Sequence, residues 1–362
     1  MPNRPLTADY REERQFWRGR WERRGLALLT ALLLIFLFTA SNNWLTIANL
    51  TMVAIVGACA LMILTGFTGQ ISLGHAAFLA LGAYTAAIGG SFGLPFWLLL
   101  PLAGLVAAAV GLAVGPFALR LEGLYLAIVT IGLIFLVNHI LLSMPGLTGG
   151  VGGIAVSMHS WFAPRDAGFV TGFSDTWRIG GLVIGFEQKL YVLFLLLTVL
   201  TVLATRNLAR SDTGRAMMAV RDHDIAAAVM GVNPAATKIT AFGISSFIAG
   251  VAGAMFAFAQ QFITVEPPFN LLMSVQYIAM IILGGIGTVF GAVAGPIAFV
   301  VLSPLMEVLA RPLPFIAELP SSQQSTLLFA VLVIGFLIFE PLGLYGIWLR
   351  IKRYFQAWPF SY

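Results

Sequence analysis

Long apolar runs, each ended by a few polar, Gly or Pro residues, recur along almost the whole chain from Leu26 onward. A helix needs about 20 apolar residues to cross the hydrocarbon core of a bilayer. Backbone groups inside that core must be satisfied within the segment, which leaves helices as the solution for runs of this kind. The charged content agrees: 10% of residues are charged and 59% hydrophobic, against about 25% charged in a soluble domain. The expected fold class is an all-α polytopic membrane protein with about ten transmembrane helices.

The net charge is +5, yet it does not point to nucleic acid. The basic residues gather in the N-terminal segment, a central loop and the C-terminal tail. That is a topology signal, because Lys and Arg mark the cytoplasmic side. Residues 1–24 form an Arg-rich arm with Phe16, Trp17 and Trp21, expected to lie as an amphipathic segment on the cytoplasmic face. Residues 25–348 are the transmembrane domain, with residues 144–189 outside and residues 206–237 a cytoplasmic loop; residues 349–362 are a cytoplasmic tail. Both termini are expected inside.

Expected spans run over Leu26–Ala40, Trp44–Leu64, Gly66–Gly90, Pro95–Leu119, Gly123–Ser143, Leu190–Thr205, Ile239–Phe262, Leu271–Gly285, Thr288–Ala310 and Thr326–Glu340. The first resembles a signal peptide, but no secreted domain follows, so a retained span is preferred. Leu271–Gly285 is short for a straight crossing. Cys59 sits in an apolar run as a small core residue.

The stretch Ser211–Pro234, SDTGRAMMAVRDHDIAAAVMGVNP, is the only long polar interruption in the second half. Ser211 or Asp212 caps a first helix through Val220, and Asp222 caps a second, Ile225–Met230. Gly231 supplies a left-handed stop, and Asn233-Pro234 starts the next span. Two short helices with small Ala faces make a knob suited to docking; a well-capped loop with no partner fits the residues equally.

TGFTGQISLGHAAF combines Gly66, Gly69 and Gly74 with Gln70, Ser72 and His75, and Gly82 follows. Glycines let helices approach closely or break inside a bundle. Polar groups at membrane depth must face protein or water. The residues alone fit either small-residue packing or a transport path. Residues 63–69 and 282–288 echo each other weakly, either as a repeat or as chance likeness between Gly-rich segments.

These motifs bring a resemblance. Ala226-Ala227 with Gly231 resembles the Ala-Ala-x-x-x-Gly of the coupling loop in ABC importer permeases; Ile225 stands where the usual pattern begins with Glu, and Asp224 precedes it. Gly69, Ser72, Leu73, Gly74, Phe78 and Gly82 match the Gly-x-x-Ser-Leu-Gly-x-x-x-Phe pattern of one branch, the permeases of branched-chain amino acid importers. That branch includes urea and amide uptake systems. Leu147–Ile154 resembles its Gly-rich outer segment, and Glu340–Gly346 its C-terminal ending.

The resemblance implies the ABC importer permease fold in a bacterial inner membrane. It implies a sister permease forming a heterodimer, two ABC ATPase subunits and a periplasmic substrate-binding protein as partners. Arg215, Arg221, Asp222, Asp224, Ala226, Ala227 and Gly231 would then serve ATPase coupling. Gly66, Gly69, Gln70, Ser72, Gly74, His75 and Gly82 would form the translocation path or its packing, and Thr148, Gly149 and Gly150 the periplasmic vestibule. The chain carries no phosphate-loop motif of its own, so ATP would be bound by partner subunits and no cofactor is expected. No nucleophile motif and no metal-ligand spacing is present in the sequence, so neither catalysis nor metal binding is expected.

Overall fold

The computed structural model describes residues 20–117, 123–160, 173, 177–179, 182–310, 330–331, 334–335, 338, 340 and 342–357. Most of the N-terminal arm, the turn at Arg120 and Glu122, much of the loop before residue 186, the Arg311–Gln324 loop and most of the expected last span lie outside these residues.

The helices are α1 Arg20–Thr39, α2 Asn42–Leu61, α3 His75–Ser91, α4 Phe96–Val114, α5 Leu124–Ser143 and α6 Phe186–Arg210. Next come the short α7 Asp212–Asp222 and α8 Asp224–Val229. They are followed by α9 Pro234–Gln260, α10 Leu271–Gly284, α11 Val289–Ala310 and α12 Gly343–Ala357. Among the described residues five helices are long and apolar enough to cross a membrane, or six when α10 and α11 count as one broken span. The expected count of about ten is therefore not reached there. The expected eighth and ninth spans form a pair bent by 117° at residues 285–288. Gly285 (φ +115°) and Gly287 (φ +81°) make that turn possible.

The expected third span also changes. Residues 62–67 continue α2 as a π-helical turn, residues 69–74 leave the helix, and α3 begins only at His75. Two small β-ladders depart from the all-helical expectation. Ile154–Ala155 pairs antiparallel with Phe262–Ile263, and Trp177–Ile179 with Leu182–Ile184. The first ties the segment after α5 to the end of α9.

α9 is the axis of the bundle, packed against α4, α3 and α2. Its start is set locally: the Asn233 side chain accepts from the Ala236 N–H at 3.1 Å and Pro234 occupies the first turn. Small residues then bring it close to its neighbours. Gly250 lies against the backbone of Ala103, and Gly253 against that of Leu79. Ser245 donates to the Ala60 carbonyl at 2.7 Å. Such contacts drive helix association where lipid removes the hydrophobic difference between neighbours. Enclosure is uneven: 83% of the apolar window of α2 is buried but 17% of that of α6. The exposed apolar side of α6 (Val192, Leu196, Val199, Leu200) and that of α5 (Ile128, Phe135, Leu136) must face lipid or another membrane protein.

Candidate functional site

The knob forms much as its caps dictate. The Ser211 side chain accepts from the Gly214 N–H at 3.2 Å and begins α7. Asp222 does not cap α8. It ends α7 and pairs with Arg221, whose Nε donates to its Oδ1 at 2.9 Å. His223 in extended backbone is the residue before α8, and Asp224 takes its first position. Gly231 has φ +88° and closes the knob. Arg215 pairs with Asp212 within α7, and both side chains are exposed.

Ala227 is buried, whereas Ala226 is exposed. The tip of α8 presents Ile225, Val229 and Met230, at 75%, 82% and 83% exposure. Of these three, the sequence motif singles out Ile225 alone, where the usual pattern has Glu. The signal was present, since 225 and 229 lie one helical turn apart on one face.

The Gly-rich segment lies directly behind this knob. A cavity of about 260 Å³ is lined by Thr68, Gly69, Gln70, Arg221, Asp224 and Lys238, among others. Gln70 is buried and neither atom of its amide group has a partner. Ser72 and His75 lie inside the fold rather than on an open face. Ser72 Oγ accepts from the Gly74 N–H at 3.3 Å. The freed backbone of the break is capped from other helices. Leu73 N–H donates to Thr130 Oγ1 at 3.0 Å and Ala76 N–H to Ser274 Oγ at 2.9 Å. The His75 ring stands edge-on to Tyr277, with centroids 4.8 Å apart. A side chain on Gly74 would meet the Thr130 backbone at 2.7 Å, and one on Gly82 would overlap the backbone of Gly250.

The two echoing segments meet here. Gly287 N–H donates to Met62 Sδ at 3.1 Å, and a Cβ on Gly66 would stand 3.0 Å from Gly287 N. Residues 63–69 end α2 and residues 282–288 join α10 to α11, so two helix breaks lie side by side beneath the knob.

Thr148, Gly149 and Gly150 build a tight turn elsewhere. Thr148 is buried and donates to the Leu141 carbonyl at 2.6 Å, and Gly149 and Gly150 have φ of +73° and +57°. The residue this turn presents is Val151, 88% exposed. α12 seats on the α10–α11 turn. Tyr345 approaches Gly285, Trp348 stacks on Phe290, and Arg350 pairs with Glu340.

A bundle of long apolar helices, with two helix breaks beneath a capped polar knob, marks a multi-pass membrane protein. Residues 43–339 match the family model described as the permease component of branched-chain amino acid transport systems. The chain belongs to that family. It is 36% identical over 332 residues to the high-affinity branched-chain amino acid transport system permease protein LivM of Escherichia coli (strain K12), covering 88% of this chain and 74% of the relative. It is 35% identical over 332 residues to the protein of the same name from Salmonella typhimurium (strain LT2), with 87% and 74% covered. No solved structure matches the chain.

Proposed function

We propose that this chain is the membrane-spanning permease subunit of an ATP-driven ABC importer for branched-chain or related amino acids. It pairs with a sister permease, and the apolar sides of α5 and α6 are available for that partner and for lipid. Two ATPase subunits lie on the cytoplasmic side, and a periplasmic protein delivers the substrate. The knob and both termini are cytoplasmic, the segment between α5 and α6 is periplasmic, and the membrane is the bacterial inner membrane.

The observation that carries this proposal is the apolar tip of α8. Ile225, Val229 and Met230 stand exposed on a polar loop, where an apolar cluster has no use in water and suits a groove on another protein. ATP binding then moves the knob, and the broken helices behind it change the side to which the path opens. The LivM relatives, by their name, serve branched-chain amino acid transport, which supports that substrate class here.

The test is co-expression with the neighbouring ATPase, sister permease and binding protein genes, followed by reconstitution in vesicles. Labelled leucine, another amino acid, urea or an amide should accumulate only with ATP, and Met230→Asp should lose the ATPase during purification. Accumulation without any ATPase would instead make the chain a secondary transporter.

A further inference from the structure

Met217 and Val220 of α7 are buried, and Arg221 beside them, with its side chain 34% exposed, is the cation of α7 that reaches the Gly-rich segment. It leaves the end of α7 and turns inward, away from the exposed tip of α8. Its Nη1 donates to the Gly66 carbonyl at 2.8 Å. Gly66 lies in the π-helical turn that ends α2, where carbonyls lack intrahelical partners and the helix dipole is negative. A charge-assisted hydrogen bond is well placed there. The alkyl part of Arg221 covers Gly69: a Cβ built on Gly69 would stand 2.9 Å from Arg221 Cγ. The same Nη1 lies 3.0 Å from where a Cβ on Gly287 would be. One side chain therefore touches both helix breaks. Asp222 holds the other edge of the guanidinium, 2.8 Å from Nη2, so the group is aimed by its neighbour on the knob.

We propose that Arg221 is the positioning residue through which displacement of the knob reaches the α2–α3 and α10–α11 breaks together. It is a transmitting residue and not part of the ATPase-docking surface, which is the apolar tip. The role rests on the permease function proposed above. Arg221 hydrogen-bonds to the first break at Gly66 and stands beside the second at Gly287, and the glycines of both leave the room the guanidinium fills. Force applied at α8 passes through α7 to a single fork. Because Gly66 and Gly287 are adjacent, the two broken helices move as a pair.

The experiment uses the complete reconstituted transporter with its ATPase, and reads three quantities: ATPase co-purification, ATP hydrolysis and uptake per ATP. Arg221→Ala should keep the ATPase bound and lower uptake per ATP about tenfold, within the range of coupling lost at one linking residue. Arg221→Lys, which keeps one cationic donor but not the fork, should fall between. The pair Gly69→Cys and Arg221→Cys gives an independent measurement. The Gly69 Cβ would lie 3.5 Å from Arg221 Cβ, within the roughly 3.5–4.5 Å that a disulfide spans. Mild oxidation should restore coupling to this variant and reduction should remove it again, with Gly69→Cys alone as the control for strain. Cys59 is buried and does not compete.

If Arg221→Ala transports at the normal ratio, or if oxidation of the pair leaves coupling lost, the link is refuted. Loss of ATPase co-purification in Arg221→Lys also refutes it, because the residue then belongs to docking. If the unaltered complex shows no ATP-driven uptake, the permease function itself fails, which is a separate result.

Discussion

Gly82 of α3 faces Gly250 of α9 so closely that a methyl group on the first would overlap the carbonyl of the second. Backbone cannot yield as a flexible side chain does. Gly82→Ala should therefore push the two helices apart and cost about 1–3 kcal/mol, read as a lower thermal midpoint in detergent. Gly132→Ala on α5 is the control. Nothing lies within 4 Å of its built Cβ, and the change should stay within about 0.5 kcal/mol or stabilise slightly. Equal midpoints for the two variants would show that α3 and α9 are not in backbone contact.

Ala226 and Ala227 are neighbours with opposite surroundings, one exposed and one buried. Ala226→Arg should leave the knob folded and weaken ATPase binding by blocking the apolar tip. Ala227→Arg should disturb the knob itself, because a buried unpaired charge is expensive. Limited proteolysis separates the two: faster cleavage near residue 227 is expected only for the second variant.

A side chain at Gly231 would be strained by conformation and not by crowding. Its φ is +88° and no atom lies within 4 Å of a built Cβ. Gly231→Asn should be accepted. Gly231→Val should cost about 1–2 kcal/mol, the penalty of a left-handed β-branched residue. Thermal unfolding of both variants checks the difference.

Orientation in the membrane can be read with thiol labelling. Cys59 is fully buried, so a membrane-impermeant maleimide should leave the unaltered folded protein unmodified. Met230→Cys should react from the cytoplasmic side alone and Val151→Cys from the periplasmic side alone. Reaction of both from one side would overturn the proposed topology.

Much of the helix layout was legible in the sequence because local chemistry sets it. Ser211, Gly231 and Asn233 each act where their side chains or backbone freedom place them. What was not legible depends on partners distant in the chain. The Gly-rich motif reads as one span by composition, yet its break exists because Thr130 and Ser274 satisfy the amides it frees. Asp222 fails as a cap for a local reason instead: Arg221, its neighbour in sequence, takes its carboxylate. The boundary at residues 285–288 was readable, but not the 117° bend there that makes α10 and α11 a broken pair around Gly285 and Gly287. Arg221 reads as an ATPase-coupling residue through the resemblance alone, because nothing near it in sequence tells of Gly66, 155 positions away. Val229 and Met230 beside Ile225 were the exception: one helical turn of spacing made the apolar tip of α8 readable.

The central place of α9 sets a schedule for synthesis. It begins at Pro234, after the knob has been made, yet it fills the groove between α2, α3 and α4. Until it is inserted, the glycine faces of the earlier helices have no backbone to meet. A ribosome adding about 5–20 residues each second needs on the order of ten seconds to go from Gly82 to Gly250. Throughout that interval the first half of the protein waits in the bilayer without its axis, open to false pairing through the same small-residue faces that later close it.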